Sequence, residues 1–208
     1  MARLLERDDS VLIVVDAQPG FFDPADAAAG GPADVIARIA WLVRVAVALD
    51  VPIVVTEEEP DRNGSTDPRV AEALPSGTPA FTKPVFGLAD VPDILSAVAA
   101  TGRRSAVLVG AETDVCVAHS ALGLLDRGYR VAVIADATYS PGAMHDHGLR
   151  RIAEAGGVVT HAKGVYYEWL RTLDAATEFR HAHAALGEPP GFSLGSRRER
   201  RRRHATSR

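Results

Sequence analysis

The chain has 208 residues and one cysteine, Cys116. That excludes an internal disulfide and any metal site built from several thiolates. Lysine is almost as scarce: of 23 Lys and Arg residues only two, Lys83 and Lys163, are lysine. No run of about 18 uncharged apolar residues occurs, so no membrane-spanning helix is expected. The opening segment MARLLERDDS lacks the basic, apolar and cleavage regions of a signal peptide, and a cytoplasmic location is expected. There is no internal repeat. What is present is a globular composition, 47% hydrophobic and 24% charged. At roughly 150 residues per domain, the length predicts one domain with a short appendage.

Charge is unevenly placed. The net charge is -4, yet the last 13 residues, SRRERRRRHATSR, hold seven Arg and one Glu, which leaves -10 on the rest. Residues 8–186 are read as the domain and 187–208 as a flexible Arg-rich tail. Such a tail can touch a polyanion by charge alone. It has no interleaved aromatics and no recognition helix, so specific reading of nucleic acid is not supported. Any DNA affinity is expected to vanish on deletion of 196–208.

Short apolar runs alternate with helical patterns. VLIVVD at 11–16, VPIVVTE at 51–57, PAFTKP at 79–84, SAVLVGAE at 105–112, RVAVIAD at 130–136 and GGVVTH at 156–161 read as strands. Helices are expected over 33–48, from an Asp90 cap through Pro92 to about 100, from near Cys116 to Asp126, over 142–155, and as a broken helix over 164–186. Residues 58–78, rich in Pro, Gly, Asp and Asn, read as a long loop. Strands that are apolar throughout are buried on both faces. The expected fold is therefore α/β, a three-layer sandwich around a mainly parallel six-stranded sheet with right-handed crossovers.

In such folds a ligand sits beyond the carboxyl ends of the strands. Asp16, Thr56 and Glu57, Lys83, Cys116 and Asp136 stand there. A carboxylate, an amine and a thiol make a chemical set. Lys83 and a helix start near Cys116 would favour the thiolate, whose midpoint is expected below the ordinary value of about 8.5. That midpoint is expected to rise when Lys83 is changed to Met. Asp16 can take the thiol proton and return it to a leaving amine. The turn after Gly110 can aim backbone N–H groups at an oxyanion. Each residue also has a plainer role: a small buried hydrophobe, a turn cap, a solvated charge.

The spacing resembles the isochorismatase-like cysteine hydrolases, a superfamily that includes nicotinamidases and N-carbamoylsarcosine amidase. The resemblance rests on VLIVVDAQPGFF at 11–22, FTKPVFG at 81–87, GAETDVCVAHSALGLLDRGYRVAVIADAT at 110–138 and GVVTHAKGVYYEWL at 157–170. IVVTEEEPDRNGST at 53–66 looks closest to the small isochorismatase-domain hydrolases. The resemblance implies a catalytic triad of Asp16, Lys83 and Cys116. It implies an oxyanion hole from the N–H groups of Glu112 and Cys116, with a cis peptide at Ala111–Glu112. It puts Gln18, Phe22, Thr138 and Tyr139 at the pocket. Glu57, with its neighbours Glu58, Glu59 and Arg62, is expected either to select a polar or cationic group or to be loop surface. The implied reaction is hydrolysis of a small-molecule C–N bond through a cysteine thioester, with no cofactor, in a homo-oligomer.

The departures bear on substrate. Metal-dependent nicotinamidases hold zinc or iron with histidines in the loop after the second strand. Residues 56–80 contain none, so no metal site is expected. His145 and His147 are read as solvated, and His119 as either packed or near the pocket. Isochorismatases proper hydrolyse an enol ether without thiol chemistry, so Cys116 favours acyl transfer. The alternatives are an ether or ester hydrolase, and an idle small-molecule-binding scaffold.

Overall fold

The computed structural model describes residues 4–22 and 31–194. In chain order the elements are β1 (Ser10–Val15), α1 (Pro32–Ala48), β2 (Ile53–Glu58), α2 (Pro60–Asn63), α3 (Pro68–Ala71), β3 (Ala80–Lys83), α4 (Pro92–Ala100), β4 (Ser105–Ala111), α5 (Ala118–Asp126), β5 (Arg130–Tyr139), α6 (Met144–Glu154), β6 (Val158–Thr160), α7 (Ala162–Leu170) and α8 (Leu173–Ala182). A π turn, Thr113–Val117, joins β4 to α5.

The six strands form one sheet in the order β3-β2-β1-β4-β5-β6. Every neighbouring pair is parallel. All six residues of β1 and all seven of β4 are buried, as β-branched runs covered on both faces should be. The strand period of two divides the core. Leu12 and Val14 join Ile36, Ile39 and Leu42 of α1 and Val165, Tyr166 and Trp169 of α7 in one apolar layer. Val11, Ile13 and Val15 join Ile94 and Val98 of α4, Leu124 of α5 and Ile152 of α6 in the other. This is the expected three-layer sandwich.

The chain builds outward from β1 to β2 and β3, then crosses back to place β4 on the other side of β1. The reversal opens a crevice at the carboxyl ends of β1 and β4, the topological switch point of an open α/β sheet.

Local differences from expectation have physical causes. The 58–78 loop contains two one-turn helices, each opened by a proline, Pro60 and Pro68. Asp67 caps the second by accepting from the Arg69 N–H at 2.9 Å. Asp90 is not the cap of α4. It ends a 3-10 turn, and Val91 stands before Pro92 with φ -106 and ψ 110. Proline holds the residue before it extended, so the helix begins at the proline itself. β5 continues to Tyr139 through a register shift against β4 between Leu108 and Gly110.

The boundary expected after residue 186 is not where packing stops. Trp41 Nε1 donates to Gly187 O at 3.3 Å and Arg38 Nε to Pro190 O at 2.9 Å. The Tyr167 hydroxyl donates to Leu194 O, and Leu194 is buried. Residues 187–194 thus lie against α1 and α7. The Arg-rich residues 195–208 are outside the described chain.

Candidate active site

Four strand ends supply the site. Asp16 follows β1 with φ 48, a left-handed conformation that turns the chain away from the sheet. Its backbone N–H donates to Thr56 O at 3.1 Å, continuing the β1–β2 ladder. The register pairs Val15 with Thr56, so the Thr56 hydroxyl reaches Asp16 Oδ1 at 2.8 Å. Lys83 ends β3, and its Nζ lies 2.7 Å from Asp16 Oδ2. Both side chains are fully buried. Nζ also donates to Val85 O at 3.0 Å and lies 3.3 Å from Glu58 Oε2.

Cys116 sits in the π turn after β4. The turn is closed by Val117 N–H donating to Glu112 O at 2.9 Å. Ser140 Oγ donates to Asp114 Oδ1 at 2.6 Å, and Thr113 Oγ1 meets His145 Nδ1 at 2.9 Å, tying the turn to β5 and α6. A Cβ on Gly148 of α6 would lie 2.7 Å from the backbone of Asp114, so α6 seats against the turn as closely as a chain can. The Ala111–Glu112 peptide is cis, as the resemblance implied. Gly110 has φ 125, and a Cβ there would fall 1.8 Å from Val15 O. Only glycine lets β1 and β4 close at this level.

The thiol donates to Glu58 Oε2 at 2.9 Å. Ligand atoms of Asp16, Glu58 and Cys116 all lie within 4.8 Å of one another. These donors are of a kind that holds a metal ion. Here the Lys83 ammonium already stands between the two carboxylates, and a bound ion would have to displace it.

The electrostatics of the cluster follow from burial. Burial raises the Asp16 pKa above its ordinary value, against the opposing pull of Lys83 and Thr56. Burial works against the Lys83 charge, but Asp16, Cys116 and Glu58 outweigh it and the ammonium pKa is raised. The Cys116 pKa is pushed far up by burial, by the Asp16 charge and by the bond to Glu58, with Lys83 opposing. The expected depression of the thiol by Lys83 is therefore outweighed in this arrangement. One cation faces two carboxylates, and a thiolate would add a third negative charge. Burial, Asp114 and Glu58 also raise the Glu112 carboxyl.

Asp16, Lys83 and Cys116 are thus brought together. Other expected pocket residues are placed differently. Glu57 is turned away: its carboxylate accepts from Thr66 N–H and Oγ1, each at 2.7 Å, and pins the loop. Gln18 donates to Glu58 O at 3.0 Å and to Gly64 O at 2.5 Å, and accepts from Glu58 N–H at 2.7 Å. It therefore holds β2's end in place with both ends of its amide. Phe22 and Tyr139 stack on each other at 5.4 Å. Thr138 is buried beside Gly110 in the β4–β5 ladder. His145 is not solvated but half-buried on Thr113, and burial lowers its pKa. His119 is exposed, with the Phe86 ring edge-on to it at 5.7 Å. Glu58 is the residue whose place the sequence left undecided among three consecutive glutamates.

Comparison with known proteins agrees with this fold. The isochorismatase domain model matches residues 10–163. Isochorismatase domain-containing protein 1 of Danio rerio is 37% identical over 135 residues, 64% of this chain and 46% of that protein. The match thus spans about half the length of that relative. The YcaC gene product of Escherichia coli, an octameric hydrolase of unknown specificity, superposes with a TM-score of 0.79 at 23% identity, covering 100% of this chain and 99% of that one. The MAR1 ribonuclease of Caenorhabditis elegans superposes with a TM-score of 0.77 at 24% identity, covering 93% and 100%.

Proposed function

We propose that this chain, which belongs to the isochorismatase-like cysteine hydrolase superfamily, hydrolyses a small-molecule C–N bond of the amide type through a thioester on Cys116. The observation that carries the reading is a lone thiol at the switch point, 2.9 Å from one carboxylate and beside a buried Lys–Asp pair.

The chemistry runs as follows. The Cys116 proton passes to Asp16, whose raised pKa makes it a competent acceptor, as Sγ attacks the substrate carbonyl carbon. A C–S bond forms and the carbonyl becomes an oxyanion, received by the N–H groups of Glu112 and Cys116. The oxyanion collapses, the C–N bond breaks, and Asp16 returns its proton to the leaving nitrogen. Water, deprotonated by Asp16, then cleaves the thioester to the acid and regenerates the thiol. Lys83 keeps Asp16 oriented and offsets the negative charge of the thiolate. Proton transfer within the cluster leaves its total charge unchanged, so a high resting thiol pKa is compatible with nucleophilic attack.

The test is ammonia release from a panel of neutral primary amides and N-carbamoyl compounds, with hydroxylamine added to trap the acyl group as a hydroxamate. Cys116→Ala is expected to lose activity by on the order of 10⁴-fold or more, and the hydroxamate with it. Turnover that survives in Cys116→Ala would exclude the thioester, and ammonia release from none of the panel would favour an ether or ester hydrolase. A thiol inert in the folded chain would favour the binding-scaffold reading. The octameric state of the Escherichia coli structure also supports a proposal that this chain self-associates.

A further inference from the structure

We propose that Glu58 sets the charge of the group admitted to Cys116: a neutral or cationic substrate bearing N–H groups is received, and a carboxylate-bearing one is turned away. The inference rests on the reading of Cys116 as the nucleophile.

Three observations carry it. First, Glu58 stands on the open side of the cluster. Its side chain is 15% exposed, whereas those of Asp16 and Lys83 are 0% exposed and Cys116 is 1% exposed. Its Oε2 is the atom bonded to the thiol, so a substrate carbonyl approaching Sγ must meet or displace this carboxylate. Second, the charges do not cancel. Asp16 and Lys83 form a buried pair at 2.7 Å, and Glu58 adds a second carboxylate against the same ammonium. The Glu112 carboxyl, raised by burial, Asp114 and Glu58, lies near enough to Glu58 to feel its charge. Among the described residues, Lys83 is the cation paired with this group. An anion brought next to Sγ enters a field of uncompensated negative charge inside a low-dielectric crevice, where repulsion is strong. Third, the backbone of Glu58 is fixed. Gln18 bonds both its N–H, at 2.7 Å, and its carbonyl, at 3.0 Å, and Asn63 Nδ2 donates to the same carbonyl at 2.9 Å. Its carboxylate, reaching from this fixed backbone, accepts hydrogen bonds and donates none, so the complementary ligand group is an N–H donor or a cation.

The test uses three methanethiosulfonates that transfer a small group to a thiol: the 2-aminoethyl reagent (cationic), the methyl reagent (neutral) and the 2-sulfonatoethyl reagent (anionic). In each, Cys116 sulfur bonds the sulfenyl sulfur and methanesulfinate leaves. With one cysteine in the chain, intact mass reports each rate. Rates are divided by those of 2-mercaptoethanol to remove intrinsic reactivity. In the unsubstituted protein, the cation is expected to outrun the anion by about tenfold or more, with the ratio shrinking as salt is raised. Glu58→Gln is expected to cut the ratio at least about fivefold. Glu59→Gln, which changes an exposed carboxylate paired with Arg62, is expected to leave it unchanged. Equal rates in the unsubstituted protein, or a ratio that survives Glu58→Gln, overturns the charge selection and leaves Cys116 a nucleophile. A thiol that none of the three reagents reaches before unfolding overturns the nucleophile reading instead, and the selection with it.

Discussion

As the proposed nucleophile, the sulfur of Cys116 has two requirements that pull in opposite directions. It must ionise to attack, yet burial, Asp16 and Glu58 together favour its protonated form over the single influence of Lys83. The resting site resolves this by holding the proton in a hydrogen bond to a carboxylate. A stability consequence follows, with a definite sign. The folded thiol pKa lies above the ordinary thiol range of about 8.5 to 9.0, so the folded chain binds this proton more tightly than the unfolded chain does. The stabilisation is complete below that range and is lost as pH rises towards the folded value. Urea unfolding should therefore show the unsubstituted protein losing about 1 kcal/mol against Cys116→Ser between about pH 9 and pH 10. Lys83, whose raised pKa makes its own contribution fade above 10.5, changes only above that interval. An unchanged difference across that interval would mean the thiol ionises in the folded chain as it does in the unfolded one. That Asp16, Lys83 and Cys116 meet was legible in the sequence because each stands at or just past the end of an apolar run. Glu58 was not separated from Glu57, although a signal existed. Thr56 and Glu58 are two apart on one strand and so share a face, and Thr56 is the residue that touches Asp16.

At the scale of elements, the closest tolerance is between β1 and β4. Gly110 has both a positive φ and no room for a Cβ against Val15 O. Gly110→Ala is expected to cost on the order of 3 kcal/mol, from backbone strain together with overpacking, read as a lower urea midpoint at unchanged slope. A neutral effect would mean that the two strands separate freely at this level. The apolar runs gave away the inner strands, because a strand buried on both faces carries no alternation to obscure it; the partly exposed edge strands β3 and β6 showed only as short runs. The turns between them were harder. Whether Thr113–Val117 winds as a π turn depends on bonds to Ser140 and His145, which come from elements far along the chain. The one-turn helices of the 58–78 loop begin at prolines, a local signal, but they are held by Glu57 and Gln18 reaching over from β2 and β1.

At the scale of the molecule, the sheet order draws residues 16, 58, 83 and 116 to one crevice, and no contiguous piece of chain shorter than that span contains the site. If the proposed self-association holds, light scattering will give a mass that is a multiple of the 22.0 kDa chain. A mass of one chain across micromolar concentrations would confine the site to a single protomer. The C-terminal segment was the least legible part, because a composition of Gly, Pro and Ser does not say that Trp41 and Arg38 wait to bond its carbonyls. The scarcity of lysine has a last, practical side. One of the two lysines is sealed inside the cluster as a counter-ion, and the other, Lys163, is only partly covered. Towards reagents that acylate lysine amines, the folded protein presents a single handle. A second acyl group, on Lys83, would mark the chains whose central sheet had come apart.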